Sequence, residues 1–229
     1  MANILLLETA TNVCSVALAI DGNVVSLKEE GGSNLHASNL TLFIQEVMEQ
    51  AGIVYGDLNA VSISKGPGSY TGLRIGTSTA KGLCFALDIP LIAIETLVMM
   101  AKGFIDRNPA YNGLICPMID ARRMEVYTAV FDKELKNLLQ TEAKIIDGVS
   151  FSNVLLANKL TFIGDGAAKC KEVIIHKNAM LCEDNFNSAG NMATLAEEAF
   201  LRNNFEDVAY FEPFYLKDFV FTKSKKNLL

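Results

Sequence analysis

The chain has 229 residues, half of them hydrophobic and 20% charged, with a net charge of −6. Such a chain folds as an ordered globular protein, in one large domain or two small lobes, and its acidity argues against a nucleic-acid binder acting alone, since phosphates are neutralised by Lys and Arg. The five cysteines, Cys14, Cys84, Cys116, Cys170 and Cys182, include no C-x-x-C pair, which argues against zinc or a thioredoxin-like centre and, with the odd count and no signal-peptide pattern, points to the reducing cytoplasm.

NILLLET opens the chain as a strand buried on both faces. CSVALAI and NVVSLKE follow as strands joined by the hairpin signal Asp21-Gly22. A helix covers SNLHASNLTLFIQEVMEQAG, where Leu40, Ile44, Val47 and Ala51 recur on one face and Gly52 suits a left-handed stop. AVSISKG is a buried strand leading into KGPGSYTGLRIG at 65–76, and a helix runs from Gly72 to Leu87. PLIAIET is a strand and LVMMAKGFID a helix. The greasiest stretch, LCFALDIPLIAIETLVMMA, is interrupted by Asp88, Pro90 and Glu95, so no membrane span is expected. A mean hydropathy of +0.25 hints instead at apolar surface kept for a partner.

A second lobe starts near Asn112. LICPMID, MEVYTAVFD and AKIID read as strands, FSNVLLAN as a short helix, LTFIGDG as a strand with a glycine turn, and 189–202 as a longer helix. Laying Glu8 on Asp120 superposes LLLETATNVCSVALA on PMIDARRMEVYTAVF, each a strand ending in a carboxylate, a polar turn and a second strand. SISKGPG and FIGDGA match as strand-to-glycine turns in the same order. The expected fold is α/β, with duplicated βββαβαβα lobes of the actin, sugar-kinase and Hsp70 (RNase H-like) superfamily. The expected lobes are 1–108 and 109–229, the C-terminal segment packing back on the first. In that superfamily a nucleotide sits between the lobes, held through strand-end carboxylates and glycine turns.

The motif at 65–76 is not a Walker loop, which needs a Lys after its second glycine, nor does GPGSYTG have dinucleotide spacing. It reads as a strand-to-helix turn with a hydroxyl cap. Gly72, Gly76 and Ala80 form a small-residue stripe with Thr79 beside it. Two helical glycines cost about 1 kcal/mol each relative to Ala, so a close approach is expected there, by the chain's own helix or by a helix of another chain.

GPGSYTGLRIG, ILLLETATNVCSVAL, SNLHASNLTLFI and DARRMEVY together resemble the TsaB (YeaZ-like) family, the accessory subunit of the bacterial tRNA threonylcarbamoyladenosine machinery, most clearly as far as Tyr127. That family carries Asp where this chain has Glu8. The resemblance implies a non-catalytic scaffold that binds a paralogous TsaD-type catalytic subunit and, through it, a small TsaE-type P-loop ATPase and tRNA, with a homodimer when alone. ATP and metal would belong to those partners rather than to this chain. The catalytic paralogue holds metal through a His-x-x-x-His pair; here the segment is His36-Ala37-Ser38-Asn39-Leu40, one histidine short of a helical ligand pair. The competing readings are a glycoprotease-like metallopeptidase and a small-molecule kinase.

The resemblance implies a partner face on the two helices of the first lobe, with Gly72, Gly76 and Ala80 at a tight contact, Arg74 and Lys81 at its polar rim, and Leu40 and Ile44 on the neighbouring helix. Glu8, Gly66, Gly68, Asp120, Arg122 and Glu125 are the candidates for an inter-lobe cleft. The 120–125 turn reads equally as an ion-paired hairpin loop or as a cleft wall. Met99, Met100 and Met118 are expected core filler, and Lys223, Lys225 and Lys226 a solvated tail.

Overall fold

The computed structural model describes residues 1–32 and 34–217; the basic triplet Lys223, Lys225 and Lys226 lies outside them. The first sheet contains β1 (Asn3–Glu8), β2 (Val13–Ile20), β3 (Asn23–Gly31), β4 (Ala60–Ser64) and β5 (Leu91–Ile94), in the order β3-β2-β1-β4-β5. The second contains β6 (Leu114–Asp120), β7 (Glu125–Phe131), β8 (Asn137–Ile145), β9 (Leu160–Ile163) and β10 (Ala179–Cys182), in the order β10-β9-β6-β7-β8. Numbered within its own lobe, each sheet has the order 3-2-1-4-5, with an antiparallel hairpin side and a parallel side. This duplicated plan is the two-lobe α/β fold of the actin-like superfamily.

The helices are α1 (Leu35–Ala51), α2 (Tyr70–Leu87), α3 (Thr96–Arg107), α4 (Ser152–Ala157), α5 (Asp165–Ala168) and α6 (Ala193–Leu201). Helix α2 starts two residues before the expected Gly72 because Ser69 caps it, its hydroxyl accepting from the Gly72 amide at 3.3 Å. Gly52 stops α1 in the left-handed region at φ 67. Strand β8 begins at Asn137, well before AKIID, because pairing with β7 recruits NLLQTE, a half-exposed run with no clean alternation. Strand β10 and the single turn α5 carry no sequence signal, and the expected helix 189–202 opens as a 3-10 turn.

Strand alternation divides the core of the first lobe. Leu5, Leu7, Val16 and Leu18 pack under α1 and α2 with Leu40, Phe43, Ile44 and Val47. Ile4, Leu6, Ala17 and Ala19 face the other way and share one continuous cluster with Met99, Met100 and Phe104 of α3, Met192, Ala193 and Ala196, and Ile115, Ile119 and Phe131 of the second sheet. The two terminal helices are exchanged: α3 packs on β6 and β7, and α6 on β1, β3 and β5. A third cluster, including Met118, Phe151 and Phe162, fills the far side of the second sheet.

Met99, Met100 and Met118 are fully buried, as are Cys14, Cys84 and Cys116. Burial pushes the Cys14 and Cys84 thiols up to about 11 and that of Cys116 to about 12, so they act as small apolar residues. Among the described residues no helix is long and apolar enough to cross a membrane.

Candidate functional site

The turn from β1 to β2, residues 9–12, is where the first lobe converges. The Ala10 amide donates to Glu8 Oε1 at 2.6 Å, and the Val13 amide to Thr11 Oγ1 at 3.3 Å. The Ser69 amide donates to the Ala10 carbonyl at 2.6 Å. His36 Nε2, 2.7 Å from the Thr11 carbonyl, must carry the proton there, because a carbonyl only accepts. Its Nδ1 is buried with no hydrogen-bond partner among the described residues.

The 65–76 motif is the lid of this turn. A Cβ on Gly68 would strike Ala10, one on Gly72 the Thr9 carbonyl, and one on Gly76 the Thr9 side chain and, at 2.9 Å, Ile63. The glycines are therefore needed for close approach, but what approaches is the chain's own first turn. This corrects the expected partner stripe. Gly72, Gly76 and Ala80 are buried inside the lobe, and Leu40 and Ile44 are core residues. The same periodicity that marks a docking stripe also marks the inward face of a helix.

Lys81 is half-buried: its ammonium donates to the carbonyls of Ala209 and Phe211, at 3.1 and 3.0 Å, clamping the C-terminal segment onto α2. Arg74 is exposed and bonded to the Tyr70 hydroxyl at 2.8 Å. The outward stripe of α2 is instead Thr71, Arg74, Ser78, Gly82 and Phe85, with Phe85 85% exposed, and Leu42 stands out on α1. In the sequence Phe85 is merely one residue of a greasy stretch; its exposure follows from the helical phase once Gly72 and Gly76 face inward.

Between the lobes lies a cleft of about 480 Å³. Its walls are the 10–12 turn, the start of α2 from Gly68 to Thr71, the stretch Ile119–Arg122, and Tyr127, Asp165 and Tyr215–Lys217. Gly68, Asp120 and Arg122 line it. Gly66 and Glu8 do not, and Glu125 touches it only through Lys217. Gly66, at φ 111, lies under the C-terminal segment, where a Cβ would sit 2.6 Å from the Phe214 carbonyl. Both readings of the 120–125 turn hold together. Asp120 pairs with Lys169 at 2.5 Å and accepts from the Arg122 amide at 2.7 Å, while Glu125 pairs with Lys217. Arg122 and Arg123 sit at φ 73 and 51, a left-handed geometry that costs roughly 1–2 kcal/mol per residue.

The repeat mates Glu8 and Asp120 have opposite settings. Glu8 is fully buried, and its Oε2 has no hydrogen-bond partner among the described residues. Burial pushes its carboxyl up to about 7, against the pull of the Ser64 hydroxyl and the Ala10 amide, with the charge of Asp165 adding to the rise. Asp165 is itself raised, first by burial. The Ala10 and Val13 amides of the first turn are already taken by Glu8 and Thr11, so they are not free to hold a phosphate. Asp165 stands in the FIGDGA turn that matches SISKGPG, whereas the roles of Lys169, Tyr215 and Lys217 come from tertiary contacts. Among the described residues no three His, Cys, Asp or Glu side chains are grouped so as to hold a metal ion.

The family model described as "TsaD: tRNA N6-adenosine threonylcarbamoyltransferase" matches residues 26–224. The tRNA threonylcarbamoyladenosine biosynthesis protein TsaB of Escherichia coli is 30% identical over 221 residues, covering 94% of each chain. The chain belongs to the TsaB family. The chain is also similar to the tRNA N6-adenosine threonylcarbamoyltransferase of Bacillus subtilis, 32% identical over 123 residues, 49% of this chain and 34% of that protein. The solved structure of YeaZ from Pseudomonas aeruginosa has the same fold, with a TM-score of 0.82 and 26% identity over 94% of this chain and 100% of that one.

Proposed function

We propose that this chain is a non-catalytic scaffold of the complex that transfers threonylcarbamoyl to the adenosine beside the anticodon of ANN-decoding tRNAs. It binds a TsaD-type catalytic subunit and, through that subunit, a TsaE-type ATPase and the tRNA. It carries no cofactor of its own; ATP and metal reside in the partners. The observation that carries this reading is the fate of the histidine pair. His36 spends its Nε2 proton on the Thr11 carbonyl, and the second position is Leu40, packed in the core. A metallopeptidase needs two or three ligands and a held water, and a kinase needs free amides for phosphate where this chain has Glu8. The partner face in this reading is the outward stripe of α2 around Phe85, with Leu42 of α1, which supplies exposed apolar surface beside one cation, Arg74. Alone, the chain pairs with a second copy through the same face.

The test is co-purification with the TsaD-type subunit of the same organism. Phe85→Glu is expected to weaken the complex about 30-fold or more while leaving the thermal melt of the free chain unchanged. A wild-type chain that captures no catalytic subunit, or a Phe85→Glu chain that captures it undiminished, overturns the reading or its surface respectively. ATP hydrolysis by the purified chain would point to the kinase instead.

A further inference from the structure

A second cavity, of about 410 Å³, shares Thr11, Asn12 and Asp165 with the inter-lobe cleft. Beyond them it is walled by the end of β10 and the stretch that follows it, as far as Asn187. That volume suits a small ligand. The wall is built in advance. The Asn187 amide donates to Asn185 Oδ1 at 2.9 Å. Arg107 of α3 donates to the Asn185 carbonyl at 3.0 Å, and its guanidinium lies 4.8 Å from the centre of the Phe186 ring. The Ala189 amide donates to Ser15 Oγ of β2 at 2.9 Å. The 185–189 stretch is thus tied to α3 on one side and to the first sheet on the other.

Two features of this cavity point to one class of ligand. The first is a buried acceptor. Asn187 forms part of the wall and is only 3% exposed, and its Oδ1 has no hydrogen-bond partner among the described residues. A buried acceptor left unpaired is costly, and a donor brought by a ligand removes that cost. The second is charge. Three carboxylates, Asp165, Glu183 and Asp184, line the cavity, and no Lys, Arg or His does so among the described residues. Glu183 is paired with Lys171 at 3.2 Å, and Asp165 accepts from the Asp120 amide at 3.1 Å. Asp184 is exposed and has neither an ion pair nor a hydrogen bond among the described residues. Between these groups the lining is apolar, with Val13, Ala168 and Leu181.

We propose that this cavity binds an organic cation, an aliphatic amine or guanidine whose charged head is held by Asp184, Asp165 and Asn187 Oδ1 and whose carbon chain lies on Val13, Ala168 and Leu181. An ammonium or guanidinium carries donors and no acceptor, which matches a wall of carboxylates and one carboxamide oxygen, and its bonds to the carboxylates are charge-assisted. The stem of such a ligand covers apolar surface while its head stays polar. A nucleotide, the usual guest between duplicated lobes of this kind, would bring its phosphates against carboxylates with no lining cation to neutralise them. Residues 11–13 belong to the first lobe and 164–168 and 181–187 to the second, so the bound cation bridges the two. The inference does not rest on the scaffold reading.

Calorimetric titration of the full chain with agmatine, at a fixed ionic strength that holds screening constant, tests it. Saturable binding is expected. Asp184→Asn is expected to weaken it about tenfold, through the loss of one charge-assisted bond. Glu134→Gln removes the same charge from an exposed turn elsewhere and is expected to leave the affinity unchanged. Asn187→Leu keeps the bulk and removes the acceptor, and is expected to weaken binding about fivefold. Asp184 is on the surface, so its variant keeps the fold and the test does not hang on Asn187. In NMR spectra agmatine is expected to shift the amides of 11–13 and 181–187 and to leave those around Phe85 in place. No saturable binding, equal weakening by Asp184→Asn and Glu134→Gln, amide shifts that fall outside the cavity, or displacement of agmatine by an equal concentration of adenosine monophosphate would each overturn the proposal.

Discussion

The two lobes share a strand order and differ in their helices. In the first, α1, α2 and α3 have 17, 18 and 12 residues; in the second, α4, α5 and α6 have 6, 4 and 9. The sheets set the position of the strand ends, hence of the cleft, and those were kept in both copies. Helix length sets how much outer surface a lobe offers. Among the described residues only the first lobe has a paired helical face, and there Phe85 and Leu42 are left exposed. The second lobe leaves apolar positions of its edge strand β8, Leu138, Leu139 and Ile145, in the open. A duplicated fold can therefore differ between its copies in outer surface while both keep the same strand order.

The exchange of α3 and α6 makes this asymmetry possible, and it yields the largest expected effect. A chain ending at residue 108 would lose α6 and the segment 206–217, exposing Ile4, Leu6, Ala17 and Ala19, whose burial is worth roughly 1–3 kcal/mol for each large side chain. It is expected to show no cooperative thermal transition by circular dichroism. A sharp melt would show that the first lobe is self-sufficient and that the comparison is between two true domains.

Within the first lobe, the inner and outer stripes of α2 should respond oppositely. Gly76→Leu drives a side chain into Thr9 and Ile63 and is expected to cost about 3 kcal/mol in urea unfolding. Gly82 has open space around the position of a Cβ, so Gly82→Ala is expected to gain up to about 1 kcal/mol. Equal effects at the two positions would remove the distinction between the stripes.

The repeat mates differ in how they tie stability to pH. Glu8 binds its proton more tightly folded, at about 7, than unfolded, near 4.5. Its contribution to stability is thus fully present below pH 4.5 and is lost as pH rises to about 7, by about 3 kcal/mol at most. Glu8→Gln should flatten that slope and be the more stable protein at pH 8, leaving the slope of the same sign from Asp165. Asp120→Asn removes only a half-exposed pair with Lys169 and is expected to change stability by less than about 1 kcal/mol. Equal pH profiles for the two variants would mean that the mates share one environment after all.

Most of the strands, the duplication and the family are legible in the amino-acid order alone; β10 and the start of β8 are not. Alternation in NILLLET and CSVALAI and the matching of Glu8 with Asp120 are local patterns that a sheet copies directly, and the two motifs stand in one order. Legible too is that Gly72 and Gly76 mark a close approach, because a helix tolerates two glycines only where something needs the room. What approaches is set by the packing in three dimensions. A helix face has the same spacing whether it meets another chain or its own Thr9, and only the placement of α2 over the first turn tells them apart. The same holds for Lys81 and Lys217, whose partners lie more than ninety positions away. No local pattern specifies that kind of pairing, because it arises only after the sheets have brought the C-terminal segment back across the cleft.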